Sequence, residues 1–254
     1  MRTIIIGLAA ALSLGACQSL PPATTSTGYA AAISDAGRPA TDTARDVNRK
    51  PAEMLAFADI KSGEKIGELL PGGGYFTRIF SKAVGSSGHV YAIVPQQVAG
   101  EGAAPAGKPP AVAAIAADPA YANVTLLQQD FSAIAPPEKL DLVWTSQNYH
   151  DLHLTRAKAD VAAINKAIFA ALKPGGIYIV LDHAAAPGTG LDVPDKLHRI
   201  NPDIVKAEVT AAGFKYVGED KALRNPADDH SKLVFDPAIR GKTDQFIYKF
   251  RKPN

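Results

Sequence analysis

The sequence has 254 residues and a formal charge of +2, and Asp, Glu, Lys and Arg make up 20% of it. This near-neutral balance shows no basic stripe or acidic tail and gives no support for nucleic-acid binding. The chain has one cysteine, Cys17, which excludes an intramolecular disulfide, so its stability must come from a buried core.

The first residues have the pattern of a signal peptide. A positively charged start precedes a short apolar run, residues 3–14, which is too short to span a bilayer comfortably. The Leu-Gly-Ala-Cys sequence at residues 14–17 resembles the lipobox of bacterial lipoproteins. That resemblance implies lipidation of Cys17, and Gln18 after it implies a periplasm-facing lipoprotein of the outer membrane, anchored without spanning. Ordinary signal cleavage or a buried thiol is the alternative.

The predicted domain organisation has three parts. Residues 1–16 form the signal peptide. Residues 17–43 contain the lipidated cysteine and a stretch rich in Ala, Thr, Ser and Pro without a sustained apolar period, which predicts a flexible tether. Residues 44–254 form one folded domain.

The folded part alternates helices and strands. A helix is predicted over residues 46–57, with Pro51 near its first turn. Residues 95–110 have low complexity and predict a surface loop, with a mobile lid as the alternative. The apolar patterns predict strands at residues 66–70, 89–94, 124–128, 140–146, 177–181, 214–219 and 245–250, and further helices at 75–84, 111–117, 155–172 and 202–212. This order predicts a doubly wound α/β sheet whose ligands bind beyond the carboxyl ends of the strands.

The corner after the first predicted strand is the strongest local signal. Three glycines, Gly72, Gly73 and Gly74, separate the strand from a helix that begins at Tyr75 or Phe76. Glycines at such a corner let the backbone approach a ligand, and the helix start offers free N–H groups. A tight turn that binds nothing is the alternative.

Over residues 51–250 the chain resembles class I S-adenosylmethionine-dependent methyltransferases. Residues 68–75 stand where that family has an acidic-x-Gly-x-Gly-x-Gly loop, Gln-Asp-Phe at 129–131 stands where an aspartate meets the adenine, and residues 172–176 match its Leu-Lys-Pro-Gly-Gly turn. The resemblance implies the Rossmann-like methyltransferase fold, with a mostly parallel seven-stranded sheet flanked by helices.

The same resemblance implies S-adenosylmethionine as cofactor. Residues 72–74 admit its methionine and ribose against bare backbone, and Glu68 beneath the loop holds the amino group or orients the loop. Asp130 accepts from the adenine amino group, and Phe131 supplies an N–H or an apolar wall. As alternatives, Glu68 is a satisfied strand-end carboxylate and Asp130 is a turn cap.

Two positions depart from the family pattern and weaken the expected cofactor binding. Leu70 replaces the first glycine of the loop. Val94 and Pro95 stand at the end of the second strand, where the family has an acid that grips the ribose hydroxyls. Loss of such a carboxylate weakens binding by about 1.5–3 kcal/mol per charge-assisted hydrogen bond. The side chain of Gln96 or Gln97 is a partial substitute for this acid.

The richest chemical cluster, residues 146–153, follows the fourth strand. Tyr149, His150 and Asp151 are the candidates for acceptor contact, with His150 as base and Asp151 as its orienting partner. Asp182 and His183, at the end of the fifth strand, approach the same cleft. The pattern also allows a divalent metal on His150, Asp151, His153 and His183, but a hydrogen-bonded loop is preferred and no metal is predicted.

A polar segment near the end of the chain has two interpretations. His198, Arg199, Arg224, Asn225 and His230 either form an acceptor-binding rim or tie the loop down through salt bridges and caps, and the second is preferred.

Two functions remain open. The first is methyl transfer to a small or envelope-associated acceptor, with the membrane reached only through the lipid anchor and no nucleic acid bound. The second is a degenerate methyltransferase fold that serves as a non-catalytic binding or interaction lipoprotein, which Leu70, Val94 and the cytoplasmic origin of the cofactor favour. A metal-dependent hydrolase is a distant third.

Overall fold

The structure is a computed structural model that describes residues 26–96 and 109–254. The predicted signal peptide, Cys17 and the middle of the predicted 95–110 loop lie outside the described residues. None of the helices in the described parts has both the length and the apolar character that a membrane span requires.

One seven-stranded sheet organises the chain in the order β3-β2-β1-β4-β5-β7-β6. All neighbours pair in parallel except β7, which is antiparallel to β5 and β6. The strands are β1 Lys65–Leu69, β2 His89–Pro95, β3 Val124–Gln129, β4 Leu140–Ser146, β5 Leu172–His183, β6 Lys215–Asp220 and β7 Gln245–Arg251. The predicted doubly wound, mostly parallel fold is confirmed.

Helices cover both faces of this sheet. The helices are α1 Ser26–Ile33, α2 Ala40–Thr43, α3 Asp46–Arg49, α4 Pro51–Ala58, α5 Tyr75–Val84, α6 Ala113–Ala116, α7 Val161–Ala171, α8 Val193–Leu197 and α9 Pro202–Ala211. On α5 the apolar residues recur every three or four positions, so one face of the helix is buried against the sheet. Its Phe76 and Phe80 pack on Trp144 of β4. A second cluster, with Ile168 and Tyr178, fills the space under α7 and α9.

The prediction that residues 17–43 form a flexible tether is wrong for residues 26–43, the part of this range that the structure describes. Ser26–Ile33 is helical, Tyr29 and Ala32 are buried, and the Tyr29 hydroxyl donates to the Ile60 carbonyl at 2.7 Å. Alanine-rich composition hid this helix because it has few large apolar residues to mark a period. The folded domain therefore includes residues 26–43.

Two predicted helices are shorter than expected. The helix over 46–57 breaks at Lys50, which has φ 43°. Pro51 disfavours the right-handed helical conformation of the residue before it, so the helix cannot run through this position. The helix over 155–172 begins only at Val161, where the Asp160 carboxylate accepts from the Ala163 N–H at 2.9 Å. The break at Lys50 matters for function because it ends α3 at Arg49.

β5 begins earlier than predicted. Leu172, expected to end a helix, pairs with Leu140 of β4. The pairing then skips the predicted Lys-Pro-Gly-Gly turn, which bulges out of the strand with Gly175 at φ 76°, and resumes where Ile177 pairs with Leu142. The chain order reverses between β1 and β4, so a crevice opens beyond their carboxyl ends.

Candidate active site

Backbone strain marks the carboxyl ends of the two central strands. Leu70, directly after β1, has φ 51°, and Gln147, directly after β4, has φ 61°. Side chains other than glycine rarely adopt this left-handed conformation, and such strain clusters at functional sites. The Asn148 side-chain amide donates to the Leu70 carbonyl at 2.8 Å and so joins the two strained ends. Leu70 thus keeps a glycine-like backbone, and its side chain packs against the core under α7.

The three glycines of the corner have different roles. A Cβ at Gly72 or Gly73 would meet no atom within 4 Å, so both border open space. A Cβ at Gly74 would lie 2.0 Å from the Ile115 Cδ1, so this glycine is required for the packing of α6. Only Gly72 and Gly73 therefore offer bare backbone to a ligand.

Glu68 lies beneath this loop and is almost completely buried. The Thr77 hydroxyl donates to its Oε2 at 2.6 Å. Burial raises the pKa of Glu68 to about 8, against the lowering effects of Thr77 and the nearby Arg49. The carboxyl is thus mostly protonated at neutral pH, and its observed partner is a helix side chain.

Arg49 is a partly buried cation at this edge that sequence patterns did not single out. Its guanidinium donates to Ser146 Oγ and Gln147 Oε1, both at 3.1 Å, and lies 4.5 Å from the centre of the Tyr75 ring. Burial lowers the pKa of Arg49 to about 10. Among the described residues it has no carboxylate within ion-pair distance. A partly buried guanidinium with only neutral partners can bind an anionic group.

His150 and Asp182 form a buried pair at the ends of β4 and β5. The His150 Nδ1 lies 2.8 Å from Asp182 Oδ1, and the His150 backbone N–H donates to Asp182 Oδ2 at 2.7 Å. Burial opposes the charged imidazolium, but the adjacent Asp182 carboxylate outweighs it and raises the pKa of His150. Burial likewise opposes the Asp182 anion, but His150 keeps the pKa of Asp182 below its ordinary value. This pair has the charge and geometry of a general base.

Asp182, not Asp151, therefore orients His150. Asp151 Oδ1 lies on the other side of the ring, 3.5 Å from His150 Nε2. The same Nε2 lies 3.2 Å from His198 Nδ1. Burial raises the pKa of Asp151 and lowers the pKa of His198.

Two other members of the predicted cluster lie elsewhere. Tyr149 is completely buried in the core, where its hydroxyl donates to Glu208 Oε2 at 2.9 Å and accepts from Asn165. His153 Nε2 lies 3.0 Å from the same Glu208 oxygen. The structure therefore does not bring Tyr149 or His153 together with His150 Nε2 in the cleft.

His183 lies beside the pair. Its ring centre is 6.0 Å from that of His150, and its Nδ1 lies 2.7 Å from Thr243 Oγ1. Burial lowers the pKa of His183 to about 4, so the ring is neutral at physiological pH.

The two residues predicted to contact the adenine, Asp130 and Phe131, differ in their surroundings. Asp130 is exposed and caps a short 3₁₀ turn, with Ser132 N–H and Oγ donating to its Oδ1 at 2.9 and 2.8 Å. The Phe131 ring is buried in the core cluster under α7 and does not form a wall of the cleft. At the end of β2, Val94 is buried and is followed by Pro95 and Gln96, so the described part of this end has no carboxylate.

The polar C-terminal segment is tied down, as preferred from the sequence. The buried Arg199 guanidinium binds Asp228 through two hydrogen bonds of 2.8 and 3.0 Å. Arg224 and His230 both contact Asp244, at 3.1 and 3.0 Å. These contacts hold the segment over the start of β7.

No family model and no curated protein matches the chain. Several solved structures are similar to it. A SAM-dependent methyltransferase from Aquifex aeolicus is 17% identical, with a TM-score of 0.59 over 83% of this chain and 94% of that one. The chain has the Rossmann-like methyltransferase fold.

Two further structures widen the comparison. The glycopeptide N-methyltransferase MtfA, complexed with sinefungin, is 16% identical, with a TM-score of 0.53 over 83% of this chain and 87% of that one. The [4+2]-cyclase SpnF is 18% identical, with a TM-score of 0.55 over 84% of this chain and 81% of that one. Proteins with this methyltransferase fold therefore include one described as a cyclase.

Proposed function

We propose that the chain is an S-adenosylmethionine-dependent methyltransferase that acts on a small or envelope-associated acceptor. The observation that carries this proposal is the open glycine backbone at Gly72 and Gly73, at the strained switch point of a methyltransferase fold. The His150–Asp182 pair lies at the same edge of the sheet. A cofactor cradle and a base at one edge are what methyl transfer to a protonated acceptor requires.

The residues present fit the cofactor in most respects. Gly72 and Gly73 border the space that its methionine and ribose take, and a side chain at either position would fill that space. Glu68 would accept from its amino group, and Arg49 would bind its carboxylate. Asp130 would accept from the adenine through Oδ2, since both of its turn bonds use Oδ1. The described end of β2 offers no carboxylate to the ribose hydroxyls.

When bound, the cofactor would supply an electrophilic methyl group, whose bond to sulfur would break as the acceptor's lone pair forms the new bond to carbon. His150 Nε2 takes the proton that the acceptor loses, and Asp182 stabilises the imidazolium that results. Direct displacement asks for little beyond this positioning and proton transfer.

Location at the cell envelope is part of the same proposal. It rests on the lipobox-like residues 14–17, with Cys17 as the lipidated residue. Labelling cells with palmitate tests it. Label on the wild-type chain that disappears in the C17S variant is expected, and label that survives C17S would reject lipidation at that residue.

A non-catalytic binding protein is the second candidate. Val94 in place of the ribose acid favours it, as does the solved cyclase with the same fold. Incubation of the full chain with methyl-labelled S-adenosylmethionine and envelope extract separates the two. Methyl transfer predicts labelled product and release of S-adenosylhomocysteine, both lost in H150N. Saturable cofactor binding with neither outcome would favour the binding protein.

A further inference from the structure

We infer that His150, Asp151 and His198 form a binding site for one divalent transition-metal ion of the Zn²⁺ type. Three donor atoms converge there: His150 Nε2, Asp151 Oδ1 and His198 Nδ1. The two imidazole nitrogens are 3.2 Å apart, and Asp151 Oδ1 lies 3.5 Å from His150 Nε2 and 3.7 Å from His198 Nδ1. Metal binding at this site does not depend on the proposed methyl transfer.

The three separations fit the edges of a tetrahedron. Zn–N and Zn–O bonds of about 2.0–2.1 Å give ligand atoms about 3.3–3.4 Å apart in tetrahedral geometry. An octahedral ion with bonds of about 2.1 Å would hold neighbouring ligands only about 3.0 Å apart. Two imidazoles and one carboxylate are also a ligand set that Zn²⁺ uses in sites with an open fourth position.

Hydrogen bonding alone accounts poorly for Asp151. A His198 Nδ1–H donor and a His150 Nε2 acceptor would explain the 3.2 Å contact. The carboxylate oxygen, however, is 3.5 and 3.7 Å from the two nitrogens, which is too long for a hydrogen bond to either. Ligands of a shared ion keep such distances because they touch the ion and not each other.

His150 is held in the form that a metal needs. Asp182 accepts from Nδ1–H, so loss of the other ring proton leaves a lone pair on Nε2, which faces Asp151 and His198. A carboxylate behind a ligating imidazole fixes its tautomer and orientation in many metal sites. Asp182 is itself fully buried and accepts from the backbone N–H groups of His150 and His183, so it cannot turn away.

His198 is fixed from the opposite side. It ends α8 in the left-handed conformation, with φ 52°. The next residue, Arg199, is completely buried, binds Asp228 and donates to the Ala184 carbonyl at the end of β5. This anchor holds a strained histidine beside His150, and strain at a non-glycine residue is typical of functional positions.

The surrounding charges and the exposure are compatible with a bound cation. Arg156 lies near enough to oppose it, whereas Asp182 and Asp195 favour it. The side chains of Asp151 and His198 keep 36% and 18% of their exposure, so the ion is reachable from solvent.

This accessibility gives the ion a role that rests on the proposed function. With an ion bound, an acceptor oxygen, nitrogen or sulfur would take the open position, and the ion would ease the loss of the acceptor's proton to water. His150 Nε2 would then be a ligand, and the ion would replace it as the group that makes the acceptor nucleophilic.

Direct metal titration tests the site. The full chain, without a histidine tag and stripped with a chelator, is titrated with Zn²⁺ by calorimetry and with Co²⁺ by visible absorption, which is intense for four-coordinate cobalt. One ion per chain is expected. H198A and D151N should each weaken Zn²⁺ binding by about 100-fold or more, since even outer-shell changes cost 10–100-fold.

The controls separate a lost ligand from a lost fold. His89, at the amino end of β2, contacts Thr125 and lies at the opposite edge of the sheet, so H89Q should bind like the wild type. Circular dichroism should be unchanged in D151N, whose side chain is partly exposed. Absence of stoichiometric binding, or equal binding by wild type and both ligand variants, would overturn the site. Cofactor titration of the same samples shows separately whether the proposed function fails.

Discussion

Two buried carboxyl groups near one edge of the sheet, Glu68 on β1 and Asp182 on β5, have opposite electrostatic character. Glu68 accepts one hydrogen bond, from the neutral Thr77 hydroxyl, and burial raises its pKa to about 8. Asp182 is buried at least as deeply but accepts from His150 Nδ1 and from two backbone N–H groups, and its pKa is lowered. The number and charge of the donors, and not burial, decide which carboxyl group is ionised.

This difference in ionisation suits the two halves of the cleft, the cofactor loop above Glu68 and the His150 side beside Asp182. A mostly protonated Glu68 leaves the cofactor loop without a fixed negative charge. An ionised Asp182 holds His150 ready to take a proton or a metal ion. Substitutions of the charged residues at this edge test the contrast between the two carboxyl groups.

Substitution of Asp182 should have the largest effect. In D182N the amide N–H₂ faces His150 Nδ1, which favours the tautomer with the proton on Nε2, so the ring can no longer act as base. Methyl transfer should fall by about 10²–10⁴-fold, measured as release of S-adenosylhomocysteine.

Stability should fall in D182N as well. Removal of one partner from a buried charged pair costs about 3–5 kcal/mol. Because the pKa of Asp182 is lowered in the folded state, this stabilisation is present above the unfolded value of 3.8 and is lost as pH falls through the folded pKa. Unfolding in urea at pH 7 and at pH 3 should show a smaller difference at pH 3. Equal activity and stability in D182N would contradict the assigned role.

Substitution of Glu68 should raise stability, whereas substitution of Asp182 should lower it. The folded state keeps the Glu68 proton up to a pKa of about 8, and the unfolded chain loses it near 4.5, so the wild type loses stability as pH rises between these values. E68Q removes that loss. It should match the wild type near pH 4 and exceed it by up to about 4–5 kcal/mol above pH 8. E53Q, at the exposed Glu53, is the control. If the stability of E68Q followed the same pH dependence as that of the wild type, Glu68 would be ionised in the folded state.

Arg49 extends the comparison to a partly buried cation with neutral partners. R49M should weaken binding of S-adenosylmethionine by about 10- to 100-fold, because a charge-assisted hydrogen bond to its carboxylate is lost. Decarboxylated S-adenosylmethionine lacks that group, so its affinity should be the same in R49M and wild type. A parallel loss for both ligands would show that Arg49 acts only through packing.

Asp130 is the exposed counterpart of the two buried acids and should show the smallest effect. D130A should reduce affinity for the cofactor by about two- to tenfold, because one neutral-donor hydrogen bond to adenine is lost. S-adenosylmethionine titration measures this change, and D118A, which removes the corresponding cap from another 3₁₀ turn, is a matched control. Unchanged affinity in D130A would limit Asp130 to its turn.

The fold was largely predictable because apolar period and turn residues are local signals. The predicted bounds of β4 agree with the structure, and the predicted start of α5 at Tyr75 agrees because the glycines fix it. The helix in residues 26–33 was not predicted, since Tyr29 and Ala32 reveal their burial only through contacts with α4 and α5. Tertiary packing, not composition, makes this segment part of the domain.

The sequence identified the polar residues that follow each strand, but not which of them meet in the folded site. His150 and Asp182 were both recognisable as polar residues after strands, but their pairing depends on β4 and β5 being neighbours. His198 lies 48 positions from His150 and reaches it only through the left-handed turn after α8. Tyr149, beside His150 in sequence, points the other way because a 3₁₀ turn begins there.

Calorimetric titration of S-adenosylmethionine into the full chain tests the central claim most directly, with G73V and G28V as the paired variants. A Cβ at either glycine meets no atom within 4 Å, but Gly73 borders the proposed cradle and Gly28 lies on α1. The account predicts micromolar binding that G73V abolishes and G28V keeps. It also predicts a melting temperature raised by roughly 5–10 °C at 100 times the Kd. No heat and no thermal shift at millimolar cofactor, or undiminished binding by G73V, would contradict it.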